Sequence, residues 1–363
     1  MLDRFKVPKE EIVRVDHESL EETVKNVFMK MGVVEGDAEE GAHVLVSTDL
    51  RGVETHGVSN MLRSYVSSYN EGSLNPRPNW TIERESPGTA TIDADKGLAD
   101  ILGPKAMRIA IAKASKVGVG VVTMKNAGHS GAIGHHAMMA AKQDMVGMTA
   151  TAGGMSVLPT FGAEPRLGTN PIAIAAPARN NPPFLFDAAT SAIAGNKLSL
   201  ATRVNADLLP NWISELDGSP ISDEIPMRER GEFYQLPLGG TREQGSHKGY
   251  GFSMMAEVLA TLLSGAISPM VLGSGGSGHH YFCAYDVASF TDVDEFKDNM
   301  DNMLQTLKDT PPAPGHERVM YPGLSEYEEE QERRSNGIPL HTEVVEWFTD
   351  ITSELSIPMV KIV

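Results

Sequence analysis

The segment 49–57 carries side chains suited to acid–base chemistry. It places one histidine, one arginine, two acidic residues and two glycines within nine residues, at a break between two predicted helices. The imidazole of His56 titrates near neutral pH, so it is suited to take a proton from an alcohol or to return one. A lone histidine is more often structural, and the spacing alone leaves both interpretations open.

A second histidine, His129, follows a β-rich run and lies among glycines in the segment 125–134. Polar groups at the end of a strand in an α/β sheet lie where ligands usually bind, and glycines let a flat cofactor approach the backbone. His135 and His136 follow on a predicted helix, where adjacent side chains point about 100° apart. No H-E-x-x-H motif or cysteine pair supports them as metal ligands. We therefore predict no metal site.

Small hydrogen-bonding residues cluster at 168–171 and at 187–191, each beside a short apolar run. Backbone amides and hydroxyls in such clusters can hold ribose and phosphate groups, although ordinary turn chemistry explains the pattern equally well. In the segment 245–252, Lys248 lies near the start of a predicted helix, which the helix dipole disfavours. That placement suggests an anionic ligand at this helix end.

The glycine-rich string 273–278 matches G-x-G-x-x-G, but its context is that of a loop. The dinucleotide-binding motif requires a strand before it, a helix after it and an acidic residue about 20 positions further on. Here a β-rich run, 280–285, follows the string. We therefore predict that this loop does not contact the pyrophosphate of a cofactor.

The elements that must position these residues form an α/β middle with helical ends. Polar stretches at 205–235 and 307–317 are interpreted as a surface loop and a linker. Helical spacing and strand alternation predict helices at 16–32, 37–50, 58–69, 104–116, 247–263, 326–335 and 341–355, and strands at 89–93, 118–124, 172–175, 184–186 and 281–285.

Charge and cysteine usage favour a soluble cytoplasmic protein. The chain has 31 Lys+Arg against 48 Asp+Glu, a formal charge of −17. Such a surface repels phosphate backbones and anionic lipid, which argues against nucleic-acid and membrane partners. The single cysteine cannot form an intrachain disulfide, and we find no signal-peptide pattern and no apolar run of bilayer length. A small anionic substrate would need its own local patch of cationic side chains.

Taken together and in order, six motifs resemble the type-2 malate/L-lactate dehydrogenase family. They are D-L-R-G-x-x-[ST]-H-G, N-x-x-H-x-G, F-G-x-E-P-x-L-G-T-N-P, D-x-A-T-S-x-x-A-x-x-K, H-K-G-Y-G and a late P-G, and they cover nearly the whole chain. The resemblance implies a homodimer that uses NAD or NADP. It also implies a non-Rossmann α/β cofactor-binding domain, expected at 79–310, and a helical domain formed from both chain ends, 1–78 and 311–363.

The resemblance also implies roles for individual residues. His56 and Thr55 match the histidine and the preceding hydroxyl residue proposed for proton transfer, and His129 matches a second histidine that some members use as the base. Asp187 opens the motif whose acid lies near the nicotinamide, where it would stabilise an imidazolium. The positions that match the family's cofactor-binding segments are Gly153, Gly154, Thr169, Asn170, Asp187, Ala188, Ala189, Lys248 and Gly249.

The sequence departs from the family pattern at the expected substrate clamp. Many members have an arginine four residues after the catalytic histidine and a tyrosine four further on, whereas this chain has Asn60 and Ser64. A guanidinium binds a carboxylate through two parallel hydrogen bonds. We therefore expect Arg51 or Arg63 to hold the substrate carboxylate, with Asn60 nearby.

The prediction is an oxidoreductase that moves a hydride between NAD(P)H and the 2-position of a small 2-oxo or 2-hydroxy acid. Three alternatives stay open at this point. The first is a cyclic imino acid reductase with the same cofactor handling. The second is a metal-dependent hydrolase built on His129, His135 and His136, and the third is a relative that binds nucleotide without turnover.

Overall fold

A seven-stranded sheet forms the centre of the protein. The computed structural model describes residues 3–273 and 277–363. Its strands are β1 (Ile12–Val15), β2 (Thr81–Glu85), β3 (Thr89–Asp93), β4 (Val119–Ala127), β5 (Met145–Ala152), β6 (Ile172–Ala176), β7 (Phe184–Ala188), β8 (Ile213–Ser214), β9 (Tyr234–Gln235), β10 (Gly278–Asp286) and β11 (Ile338–His341).

Helices cover the sheet and form both ends of the chain. A π-helical segment, Glu257–Leu262, continues α7, and short 3-10 turns lie at Asp3–Phe5, Lys9–Glu11 and Val287–Ser289. The α-helices are α1 (His17–Lys30), α2 (Glu35–Leu50), α3 (Val58–Asn70), α4 (Ala99–Val117), α5 (Gly134–Ala141), α6 (Gly195–Arg203), α7 (Ser246–Ala256), α8 (Pro269–Leu272), α9 (Val293–Lys308), α10 (Leu324–Asn336) and α11 (Thr342–Leu355).

The central sheet is not the parallel sheet of the Rossmann fold. Its order is β2-β3-β4-β10-β5-β6-β7. Only the β3–β4 pair is parallel, and the other described pairs in this sheet are antiparallel. The expected non-Rossmann α/β fold is confirmed, because the Rossmann order requires successive parallel strands joined by crossover helices.

Local signals account for the N-terminal helices. The Asp16 side chain accepts the backbone N–H of Ser19 at 2.8 Å and so caps α1. Gly32, with φ of 94°, lies just beyond the end of that helix in a conformation that favours glycine. Helix α1 buries the apolar face that contains Leu20, Val24 and Phe28. The three predicted helices at this end of the chain agree with α1, α2 and α3 to within two residues.

The two ends of the chain lie together. Strand β1 pairs antiparallel with β11, with Ile12 opposite His341. Helix α10 packs against α2, and α11 packs against α1. The sequence pattern predicted the terminal helices but neither strand, since each is four residues long and is stabilised by a partner from the far end of the chain.

Two predicted helices have different limits in the structure. The helix placed at 104–116 begins at Ala99, because Pro104 lies within the helix instead of starting it. The helix placed at 247–263 changes to π-helical hydrogen bonding at Glu257. Residues 274–276 of the glycine-rich string lie outside the described residues, and β10 begins at its last position. Within the described parts of the chain, no helix is both long and apolar enough to cross a bilayer.

Candidate active site

Two adjoining cavities lie between the N-terminal helices and the central sheet. Their volumes are about 710 Å³ and about 480 Å³. Four residues line both of them, namely His56, Gly131, Thr169 and Pro171. Because His56 faces both cavities, ligands in the two spaces would meet at its imidazole.

The loop between α2 and α3 holds His56 at this junction. Asp49 accepts the backbone N–H of Val58 at 2.6 Å, which secures the start of α3 directly after the loop. The hydroxyl of Thr55 lies 2.9 Å from Nδ1 of His56. Burial, with a smaller contribution from the neighbouring His129, lowers the pKa of His56 to about 3. His56 is therefore neutral near pH 7 and able to accept a proton.

His129 lies on the segment that follows β4 and stacks on His56. The two ring centroids are 5.6 Å apart and the ring planes differ by 12°. Nδ1 of His129 accepts the backbone N–H of Gly131 at 3.1 Å and lies 2.7 Å from the hydroxyl of Tyr65. Burial lowers the pKa of His129 to about 4. The sequence predicted both histidines, and the structure brings them together from segments more than seventy residues apart in the chain.

Asp187 lies at the end of β7 and lines the smaller cavity with His56 and Arg51. Its carboxylate accepts the backbone N–H of Gly134 at 2.7 Å, at the start of α5. The side chain is exposed to the open cavity, yet the surrounding protein desolvates the carboxyl and raises its pKa to about 6. Its hydrogen bond to Gly134 opposes this rise.

Most of the predicted cofactor-binding residues divide between the two cavities. The larger cavity has Gly153, Gly154, Thr169 and Asn170 in its lining. The smaller one is lined by Thr169 and by the residues 187–189. Gly153 has φ of 136°, and a Cβ there would lie 2.8 Å from the carbonyl oxygen of Ser277, so this part of the wall requires glycine.

Four other predicted site residues lie outside both cavity linings. Lys248 is exposed near the start of α7, and Gly249 packs so closely on Leu238 that a Cβ would lie 2.4 Å from its carbonyl oxygen. Arg63 pairs with Glu343 at 3.3 Å. Asn60 accepts a hydrogen bond from Arg203 at 2.8 Å and donates one to the carbonyl of Asn196 at 3.1 Å. Their predicted binding roles stay predictions.

Comparison with known proteins identifies the family. The malate/L-lactate dehydrogenase family model matches residues 15–349. The chain belongs to this family. It is 36% identical over 353 residues to the malate dehydrogenase of Pyrococcus horikoshii, which covers 96% of this chain and 97% of that protein. It is 34% identical over 345 residues to the L-sulfolactate dehydrogenase of Methanocaldococcus jannaschii, covering 94% of this chain and 96% of the relative.

The fold of a solved family member is closely similar. The malate dehydrogenase structure from Entamoeba histolytica superposes with a TM-score of 0.90 at 33% identity and covers 96% of this chain and 99% of that one. This family member is accordingly an oxidoreductase that transfers a hydride between a nicotinamide cofactor and the 2-position of a small hydroxy or oxo acid.

Several site residues were not assigned a role from the sequence. Tyr65 contacts His129 from α3, and His280 on β10 lies 3.0 Å from the carbonyl oxygen of Gly128 through Nε2. Arg230 lies in the stretch interpreted as a surface loop, but it lines the larger cavity and donates to Ser199 Oγ at 2.7 Å. Helical spacing shows that Tyr65 faces inward, whereas no local signal indicates the positions of His280 and Arg230.

The histidines considered for a metal have separate partners. His135 Nδ1 lies 3.0 Å from Ser47 Oγ, while His136 Nε2 lies 3.1 Å from Ser130 Oγ. His129 contacts Tyr65. In the parts of the chain that the structure describes, no group of three or more His, Cys, Asp or Glu side chains is arranged to hold a metal ion.

Proposed function

We propose that this dehydrogenase reacts its substrate at the junction of the two cavities, with His56 exchanging the proton of the 2-hydroxyl group. The observation that carries the proposal is the stacked pair of neutral imidazoles, His56 and His129, at that junction. In oxidation His56 accepts the hydroxyl proton as the hydride leaves for the nicotinamide, and in reduction the protonated imidazole returns it. Asp187, in the same cavity, stabilises the imidazolium electrostatically.

The second imidazole has a different role. The backbone N–H of Gly131 points at Nδ1 of His129, so in the neutral ring Nε2 carries the hydrogen. A neutral Nε2–H donates a hydrogen bond to the substrate oxygen and polarises it without giving up a proton. The arrangement thus separates a proton acceptor, His56, from a fixed hydrogen-bond donor, His129.

The basic side chains of the smaller cavity support a substrate class. Arg51 and Lys197 both line it, alongside the acidic Asp187 and Glu326. Two cations suit a 2-oxo acid that carries a second anionic group, and two of the relatives are named malate and L-sulfolactate dehydrogenases. A panel of oxaloacetate, sulfopyruvate, pyruvate and a cyclic imino acid, followed by absorbance of NADH and of NADPH, tests this. Turnover of the doubly charged acids above pyruvate supports the proposal, and preference for the imine contradicts it.

Replacing Arg51 by glutamine is expected to raise the KM for the oxo acid by about 10- to 100-fold with a smaller change in the affinity for cofactor. A hydrogen bond to a charged group contributes about 1.5–3 kcal/mol, and Arg51 lines the cavity while pairing with Glu330 at 3.3 Å. Steady-state kinetics of Arg63→Gln provide the comparison. If Arg63→Gln has the larger effect on KM, the clamp is Arg63 and this assignment is wrong.

We also infer a homodimer, supported by an apolar stripe on α7 and the π-helical segment. Phe252, Met255, Val258 and Leu262 are each about half exposed, at 48%, 46%, 50% and 53%. Their spacing of three to four residues places them on one side of the helix. An exposed contiguous apolar face of this kind is typical of a protein–protein interface, and the family resemblance implies a second copy as its occupant.

Val258→Glu is therefore expected to give a monomer by light scattering at micromolar concentration, because a charge would be buried in the interface. Val117→Glu is the matched control, since Val117 is similarly exposed, at 53% against 50% for Val258, but lies at the end of α4 and outside the stripe. A Val258→Glu protein that stays dimeric, or a wild-type monomer, would contradict the inference.

We infer a cytoplasmic location and no nucleic-acid or membrane partner. These inferences are supported by the net charge of −17 and the single cysteine, Cys283, which is buried.

A further inference from the structure

Asp100, in the first turn of α4, is a fully buried carboxyl with no well-aligned hydrogen-bond partner among the described residues. Its exposure is 0%, and neither oxygen forms a well-aligned hydrogen bond with any described group. Oδ1 lies against Gly131, where a Cβ would be only 2.3 Å away. Burial of an unpaired carboxylate is costly, so an orphaned buried acid requires an explanation in function or structure.

The groups that face Asp100 are two tyrosines of α3. Burial and the neighbouring Asp100 carboxyl together raise the pKa of both Tyr65 and Tyr69. Tyr65 is the nearer, although its hydroxyl is not well aligned for a hydrogen bond to Asp100. The loop after β4 places Gly131 against Asp100, and His129 of the same loop contacts Tyr65. No lysine or arginine contributes to the charge environment of Asp100 among the described residues. Burial raises the pKa of Asp100 to about 7, and the Tyr65 hydroxyl, which can donate to the ionised carboxylate, opposes this rise.

The hydrogen bonds around His129 determine which group donates to which among His129, Tyr65 and Asp100. Since the N–H of Gly131 points at Nδ1, that nitrogen is an acceptor, and the hydroxyl of Tyr65 must donate to it over the 2.7 Å contact. The oxygen of Tyr65 is then left as an acceptor toward Asp100. Only the protonated carboxylic acid has a hydrogen to place there.

We propose that Asp100 and Tyr65 are positioning residues that hold His129 as a neutral Nε2–H donor, and that Asp100 performs this role in its protonated form. The inference rests on the proposed function in one respect only, that His129 Nε2–H polarises the substrate oxygen. An ionised Asp100 would attract the hydroxyl hydrogen of Tyr65 and withdraw it from His129. The ring would then lose one of the two donors that keep its hydrogen on Nε2.

The direction of the pH effect follows from the raised pKa of Asp100. Below that pKa Asp100 is protonated and can donate to the Tyr65 oxygen, so that the Tyr65 hydroxyl donates to His129. As the pH rises through about 7, Asp100 ionises and the rate of reduction falls. We therefore expect an alkaline limb in the pH profile of kcat.

Tyr65→Phe is expected to lower kcat roughly tenfold with little change in the cofactor KM, because His129 loses one hydrogen bond. Tyr69→Phe is the matched control. It lies one helical turn away on α3, also faces Asp100, and makes no contact with His129 among the described residues. Equal losses from the two substitutions would show a packing role and overturn the proposal.

Asp100→Asn tests the ionisation directly, since asparagine has a similar shape, can donate to Tyr65 and cannot ionise. We expect kcat within about threefold of wild type below neutral pH, and a profile without the alkaline limb. A variant that retains the wild-type limb overturns the proposal, since the limb then belongs to another group.

The tautomer of His129 gives a readout that does not depend on activity. Nitrogen NMR of the wild-type imidazole, assigned by the loss of its signals in His129→Gln, is expected to show Nδ1 unprotonated and Nε2 protonated. Tyr65→Phe and ionisation of Asp100 should each move both nitrogen signals toward the values of a mixture of the two tautomers. If His56→Ala keeps full activity while these signals behave as expected, the proposed acid–base assignment fails and the positioning proposal stands. A wild-type ring protonated on Nδ1 overturns the positioning proposal.

Discussion

Replacement of His56 by alanine is expected to lower kcat by about 10²–10⁴-fold, the usual contribution of a general acid–base group. His56 lies where the two cavities meet, has the Thr55 hydroxyl 2.9 Å from its Nδ1, and is kept neutral by burial. The loss should appear in both reaction directions, because the same imidazole takes and returns the proton. Measurement of kcat together with the dissociation constant of the reduced cofactor should show that cofactor binding changes far less than turnover.

Asp187→Asn should act in the same direction as His56→Ala with a smaller effect. If Asp187 stabilises the charged His56, the double variant loses less than the product of the two single losses, since groups that act as a unit are not additive. His129→Ala is the comparison for the assignment. If it abolishes turnover while His56→Ala leaves kcat within about threefold, well short of the usual range, then His129 is the acid–base residue and the assignment is wrong.

Replacement of Arg333 by methionine is expected to destabilise the folded protein by about 3–5 kcal/mol, the usual cost of removing one partner of a buried ion pair. From α10, Arg333 donates to Glu54 at 2.8 Å and to the carbonyl oxygen of Asp49 at 2.8 Å. Arg333 and Glu54 are both buried, at 6% and 5% exposure. Without Arg333, the Glu54 carboxylate in the loop that carries His56 and the Asp49 carbonyl at the end of α2 would be left without this partner.

The adjacent residue provides a control for this stability prediction. Arg334 forms an exposed pair with Glu330 at a spacing of four residues, and such pairs contribute about 0.3–0.5 kcal/mol. Denaturant unfolding should therefore separate Arg333→Met clearly from Arg334→Met. Addition of Glu54→Leu to Arg333→Met should recover part of the loss, because no uncompensated charge then remains buried. Similar midpoints for the two single variants would show that the buried pair does not stabilise the loop.

Local signals gave the most accurate predictions at the N-terminal end of the chain, although α9, which Asp292 caps locally, was not predicted. The N-terminal helices were predicted to within two residues because the Asp16 cap and the apolar spacing are local signals. The start of α4 was misplaced, since Pro104 is accommodated inside a helix that packs on the sheet. Helix α6 and strand β1 were not predicted, because they are short and depend on distant partners.

By itself the sequence predicted the family and the reaction class, which the comparisons confirm. It also singled out His56 and His129 as candidates, because each lies in a short motif whose residues are neighbours in the chain. Only the tertiary structure placed the N–H of Gly131 against Nδ1 of His129, left the buried Asp100 carboxyl without a well-aligned partner among the described residues, and paired Arg63 with Glu343 outside the cavities. The physical reason is common to all three. Tautomers, pKa values and side-chain directions depend on burial and on partners from other elements, and no local spacing in the sequence specifies which groups will meet.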